Sequence, residues 1–265
     1  MSEAIGIIGG SGLYSLLPHA DEVVVETPYG APSDALVVAD VGGRQVVFVP
    51  RHGRDHRYPP HRVPFRANLW ALHSLGVRQV LAPCAVGALD RALAPGDLVV
   101  PDQVLDRTSG RDLTFYDESA VHVPFADPYC PRGRAAVITA ATQAAWAVRN
   151  GGTMVVVNGP RFGSRAESQW HAAAGGTVVN MTGMPEAGLA RELALCYTVV
   201  ALVTDVDAGM AAGEAVTQED VFAVFGHSIG RLRALLLDAV SVLSDDRDCW
   251  CPAALDGTPA EGRWG

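Results

Sequence analysis

The amino-acid sequence predicts an α/β fold in which buried strands alternate with helices. Three observations carry that reading. Short runs rich in valine and isoleucine recur at 4–9, 45–50, 79–83, 97–100, 153–157, 177–180 and 196–205, each bounded by Gly, Pro, Asn or Asp. Helical patterns lie between several of them. The composition of the 265 residues, 49% apolar and 18% charged, is that of a chain able to bury a full core.

Taken in order, the run at 4–9 is too short to span a bilayer and leads straight into a glycine-rich turn. The run at 45–50 ends in Pro50-Arg51-His52-Gly53. Pro64 then opens a helix that stops before Gly76, because proline suits the first helical turn and glycine the exit. Pro185 opens another helix, with Glu186 in its first turn. The last helix begins near Thr217, an N-cap with Asp220 three residues on, and sets Phe222, Phe225, Ile229, Leu232, Leu236 and Val240 on one stripe expected to pack on the sheet. From Asp245 the chain turns polar and Gly/Pro-containing, so residues 1–244 are expected to form one domain and 245–265 a loosely held tail.

Charge and composition exclude several classes. A formal charge of −9 disfavours a nucleic-acid or anionic-membrane surface. The N-terminus has no basic n-region, and the five cysteines, Cys84, Cys130, Cys196, Cys249 and Cys251, are scattered and odd in number; a reduced, cytoplasmic setting is expected. Every basic side chain other than histidine is arginine. Without lysine, Schiff-base, pyridoxal and Walker-type chemistries lose their central residue.

Three segments remain as candidates for chemistry. Ile8-Gly9-Gly10-Ser11-Gly12 can turn backbone N–H groups toward an anion, although it lacks the third glycine of the dinucleotide fingerprint. In Arg51-His52-Gly53 the guanidinium can grip an oxyanion with two parallel hydrogen bonds and the imidazole can add a third. His52, His56 and His61 invite a zinc reading, but they fall in a proline-rich stretch and not on one helical face, so an anion pocket is preferred and no metal is expected. Finally, Thr204-Asp205-Val206-Asp207 ends an apolar strand, and alternation puts both carboxylates on one side of it. Glycosidases also use two carboxylates, but they place them on opposite sides of the sugar.

These segments, with Thr27-Pro28-Tyr29-Gly30, Arg66-Ala67-Asn68, Gly159-Pro160-Arg161-Phe162 and Asn180-Met181-Thr182 followed by Pro185-Glu186, resemble the trimeric purine nucleoside phosphorylases, and within them the methylthioadenosine phosphorylases. The likeness runs from Gly6 to about Val240. It implies a purine nucleoside phosphorylase-like fold, a central mixed sheet curved into a distorted barrel and flanked by helices. It also implies a homotrimer in which His122, in Val121-His122-Val123, is lent to the neighbouring active site.

By the same resemblance Ser11, Arg51, His52, Ala85 and Thr182 hold phosphate, Met181 lies under the ribose, Phe162 against the purine, and Asp205 and Asp207 at the base. Phosphate is then a co-substrate and no cofactor is required. Asp205 donates to N7 of the leaving adenine while ionised Asp207 accepts from the exocyclic amine. Together with Gly163 in place of a glutamate, this favours 6-aminopurines over a 6-oxopurine or methylthioinosine substrate. Val221 suits a 5′-methylthio group, whereas Gln218 in place of a valine can hydrogen-bond a 5′-hydroxyl, so adenosine and 2′-deoxyadenosine are further candidates. Gly183 replaces a threonine of some relatives. A non-catalytic nucleoside-binding sensor is the alternative of another class. Cys249-Trp250-Cys251 matches a redox pair of some heat-stable relatives, but such close spacing strains a disulfide, and a disordered or partner-packed tail is expected.

Overall fold

The computed structural model describes residues 3–10, 12, 13, 17, 20–206 and 216–264, so Ser11 and Asp207 lie outside the described residues. The first half of the chain carries β1 (Ala4–Gly9), β2 (Asp21–Val23), β3 (Leu36–Val41), β4 (Arg44–Pro50), α1 (Phe65–Ser74), β5 (Val77–Ala88), β6 (Leu98–Val100) and β7 (Gln103–Arg107). The second half carries α2 (Pro131–Gln143), β8 (Val148–Asn150), β9 (Thr153–Val157), α3 (Arg165–Ala173), β10 (Gly176–Asn180), α4 (Gly183–Glu192), β11 (Cys196–Val206) and α5 (Gln218–Val242).

All eleven strands belong to one mixed sheet that branches at β5. One edge of β5 pairs first with β1, parallel through Val77 to Leu81, and then with β10, antiparallel at Gly87 and Ala88. Its other edge carries β11 in parallel along almost its whole length. The sheet therefore divides where β5 passes from one partner to the next, and the ends of β1, β10 and β11 converge there. This large mixed sheet with flanking helices is the architecture the resemblance implies.

Strand alternation explains why both faces of the central strands are apolar. Ile8, Val47, Val49, Val80 and Val199 face a core completed by α1 and α4, whereas Ile5, Ile7, Val46, Phe48 and Leu81 face a second core completed by α2 and α5. With helices on both sides, near-continuous hydrophobic runs are the expected strand signature, and each of the seven runs is a strand. The runs miss β2, β3, β7 and β8, which are short or half-exposed, and the local patterns mark neither α2 nor α3. It also stops β5 at Pro83, yet the strand continues to Ala88: proline lacks only the N–H, and its carbonyl is taken by an arginine side chain.

Two further expectations change. Thr217 does cap α5, accepting from the Asp220 N–H at 3.2 Å, and Leu232, Leu236 and Val240 are buried. Phe222 is nevertheless 45% exposed and borders the main cavity, as does Phe225, which also packs against the second core. Where composition predicts a loosely held tail, residues 245–264 pack as successive turns whose backbone bonds, such as Ala254 N–H to Cys251 O at 3.2 Å, satisfy polar groups locally. Cys251, Ala254, Leu255 and Ala260 are buried, and the Trp264 indole donates to Tyr116 Oη at 2.7 Å. No helix among the described residues is long and apolar enough to cross a membrane.

Candidate active site

A cavity of about 970 Å³ opens where the sheet branches, a size suited to a nucleoside with an anion beside it. Arg51, His52, Ala85, Phe162, Met181, Thr182, Asp205, Gln218 and Val221 all line it, although they come from β5, β11, α5 and the segments that follow β4, β9 and β10. Gly10 lines it too, and a Cβ built there would meet nothing within 4 Å. Gly12 holds φ at +94°, a left-handed conformation that favours glycine. His122 is exposed and does not line the cavity of its own chain.

In the turn after β4, Arg51 is 2% exposed and its backbone N–H is tied to Gly9 O at 2.8 Å, locking this turn against the end of β1. The guanidinium fork expected to face an oxyanion is already occupied. Nε donates to Glu186 Oε2 at 2.8 Å and Nη2 to Glu186 Oε1 at 2.9 Å, while Nη2 and Nη1 also reach Ile8 O at 2.9 Å and Pro83 O at 3.0 Å. Among the described residues that leaves one Nη1–H of five donors for a ligand, so Arg51 is suited to a single charge-assisted bond and not a bidentate grip. Burial opposes the Arg51 charge, but the Glu186 carboxylate outweighs it and holds the guanidinium above its ordinary pKa. Tyr197 Oη donates to Glu186 Oε1 at 2.6 Å and completes the buried network.

His52 is neutral under ordinary conditions. Burial lowers its pKa to about 4, against a partly compensating bond to Tyr58 O. Because a carbonyl can only accept, the 2.8 Å contact between Nδ1 and Tyr58 O requires the proton on Nδ1 and leaves Nε2 as an acceptor. His56 stacks on the ring at 4.4 Å between centroids, and burial lowers its pKa as well. His61 is exposed at the surface.

Thr182 is placed by Asn180. Asn180 Oδ1 accepts the N–H groups of Thr182 at 2.7 Å and Gly183 at 2.6 Å, so neither backbone donor is free for an anion. Asn180 Nδ2 approaches Thr182 Oγ1 at 3.5 Å, which directs the hydroxyl hydrogen elsewhere. Asp205 Oδ2 accepts from Thr204 Oγ1 at 2.8 Å. Met181 is held from behind: Arg111 Nη2 donates to Met181 O at 2.9 Å and Asn158 O at 3.0 Å, and a Cβ on Gly159 would collide with the Met181 side chain.

A model of the phosphorylase superfamily matches residues 4–241. The chain belongs to the phosphorylase superfamily. It is 57% identical to a purine nucleoside phosphorylase of Streptomyces coelicolor over 96% of this chain and 94% of that one. It is 55% identical to an S-methyl-5′-thioadenosine phosphorylase of Mycobacterium tuberculosis over 92% of this chain and 91% of that one. A solved structure of methylthioadenosine phosphorylase from Schistosoma mansoni in complex with adenine superposes with a TM-score of 0.90 at 38% identity, covering 96% of this chain and 97% of that one.

In this phosphorylase the supporting residues carry little signal in the sequence. Glu186 stands out only as a helix-start acid, yet it is 1% exposed and neutralises Arg51 from 135 positions away. Asn180, Tyr197 and Arg111 likewise carry no local signature. The one usable signal is that Asn180 and Glu186 lie inside the motifs that carry the family resemblance.

Proposed function

We propose that this phosphorylase is a pentosyltransferase that converts 5′-methylthioadenosine and inorganic phosphate into adenine and 5-methylthioribose 1-phosphate, with adenosine and 2′-deoxyadenosine as further substrates. One observation carries the proposal: a single cavity is lined both by the buried Arg51, His52 and Thr182, which suit an anion, and by a carboxylate, Asp205, at the end of β11.

The chemistry follows from that arrangement. Phosphate accepts from the remaining Arg51 Nη1–H and from the Thr182 hydroxyl, while neutral His52 accepts the phosphate's own P–OH proton through Nε2. Such bonding fixes which oxygens are unprotonated and turns one toward the anomeric carbon. As the glycosidic bond lengthens, the ribosyl group becomes oxocarbenium-like and the phosphate charge stabilises it from one face. On the other side Asp205 delivers a proton to N7, so that adenine leaves neutral. Ser11 and Ala85 belong to the phosphate end, and Phe162, Met181, Val221, Gln218 and Asp207 to the nucleoside. The requirement is for phosphate as co-substrate, with no organic cofactor in the reaction.

The comparisons support both halves of the substrate assignment, since relatives of 57% and 55% identity are named for purine nucleosides and for methylthioadenosine. Gly163 beside Phe162 in the cavity lining favours the 6-amino base. Exposure of His122, outside its own cavity, supports a homotrimer in which it completes a neighbour's site, and the intended setting is the cytoplasm. Release of the free base, adenine from methylthioadenosine and adenosine and hypoxanthine from inosine, followed with and without phosphate, tests the reaction. Release of adenine is expected to fall at least a hundredfold without phosphate. Equal rates in its absence would identify a hydrolase, and preference for inosine a 6-oxopurine enzyme. Active protein sedimenting as a monomer would refute the trimer.

A further inference from the structure

Four of the five cysteines, scattered along the chain, meet in the fold. Cys130 is the N-cap residue of α2, Cys196 opens β11, and Cys249 and Cys251 come from the packed tail. Their four sulfur atoms all lie within 4.8 Å of one another, with Cys249 Sγ at 3.7 Å from Cys130 Sγ and 3.4 Å from Cys196 Sγ. All four are free thiols. Three are buried and the fourth is half-buried, so the cluster is largely closed to solvent.

We propose that Cys130, Cys196, Cys249 and Cys251 form a structural tetrathiolate site for one Zn²⁺ ion, which pins the C-terminal tail to the start of α2 and β11. The dimensions suit a single ion. Zinc–sulfur bonds of about 2.3 Å place the corners of a tetrahedron roughly 3.8 Å apart, which is the spacing this group already approaches. A sulfide-bridged iron cluster, with several metal ions inside the thiolate shell, needs a wider cage. Four thiolates and no open position match the closed, four-coordinate form of structural zinc rather than a catalytic ion.

The surroundings favour the charge change. Binding releases four protons from four thiols and leaves a complex of net charge −2. Cys130 stands at the positive end of the α2 dipole, where a thiolate is stabilised. Arg132, two residues on, pairs with Asp248 and so ties the α2 flank to the Cys249 flank; its buried Nε–H has no hydrogen-bond partner among the described residues. Gly133 keeps this corner tight, because a Cβ there would overlap the Thr198 side chain of β11. The site is remote from catalysis: Cys196 and Asp205 sit near opposite ends of β11, roughly 30 Å apart at about 3.3 Å per residue.

The test uses the full chain purified with reductant from zinc-supplemented cells and dialysed into metal-free buffer. Elemental analysis is expected to give one zinc per chain, falling at least tenfold in Cys130→Ser and in Cys249→Ser but unchanged in Cys84→Ser. If the variants do not fold, the wild-type chain is stripped and reconstituted with Co²⁺. Intense sulfur-to-cobalt charge-transfer absorption with tetrahedral d–d bands is then expected. Intact mass separates the rival chemistry, since two disulfides remove four hydrogens. The proposal is overturned if the purified chain carries disulfides among these four cysteines, if the thiols are free and take up neither Zn²⁺ nor Co²⁺, or if folded serine variants retain as much zinc as the wild type.

Discussion

Replacing Glu186 with glutamine removes one charge from the buried pair that holds Arg51. The geometry dictates how the new amide must sit. Tyr197 Oη and Arg51 Nη2 both require an acceptor at the Oε1 position, so the amide oxygen stays there and the NH₂ group is set against Arg51 Nε–H. The result is a buried guanidinium that loses its counter-charge and meets a donor in place of an acceptor. Breaking one side of such a buried pair costs about 3–5 kcal/mol. At roughly 2 °C per kcal/mol for a chain of this length, Glu186→Gln should melt about 6–10 °C below the parent in phosphate-free buffer. Phosphate restores a counter-charge to Arg51, so saturating phosphate should raise the Tm of the variant more than that of the parent. Thermal unfolding of both proteins in each buffer measures this. A variant that melts within about 2 °C of the parent, or equal phosphate gains in the two proteins, would refute the view that Glu186 supplies the charge Arg51 lacks.

Asp205→Asn should lower kcat for adenine nucleosides by about 10²–10⁴ while affecting 6-oxo substrates much less; equal losses in a paired assay would remove Asp205 as the N7 acid. Gln218→Leu should raise the kcat/KM ratio of methylthioadenosine to adenosine about tenfold, the worth of one hydrogen bond to a 5′-hydroxyl, and an unchanged ratio would place Gln218 away from that group. For pH, the folded His52 has its pKa lowered to about 4 from 6.5, so the unfolded chain binds the extra proton between those values. The stability present above pH 6.5 is therefore lost as pH falls toward 4, by up to about 3 kcal/mol from this group, and His73, also lowered to about 4 by burial, acts in the same direction. Denaturant unfolding from pH 7 to pH 4 should show this decline, and His52→Asn should flatten it.

The local sequence determined the strands that bury both faces, because a run such as Ile5–Ile8 has no polar position to give up, and it determined the start of α5 through Thr217 and Asp220. The family resemblance that its motifs carry also named nine residues that the fold brings to one cavity, Arg51, His52, Ala85, Phe162, Met181, Thr182, Asp205, Gln218 and Val221. What it left open were relations between distant positions. Pairing of Arg51 with Glu186 depends on β4 and α4 meeting at the branch of β5, and no spacing along the chain encodes that meeting. Likewise Phe222 and Phe225 fit the apolar stripe of α5, but only the packed fold shows that they border the cavity. The four cysteines make the same case most sharply. Periodicity and caps are properties of neighbouring residues, whereas a site assembled from positions 130, 196, 249 and 251 exists only once helix, strand and tail have been packed together.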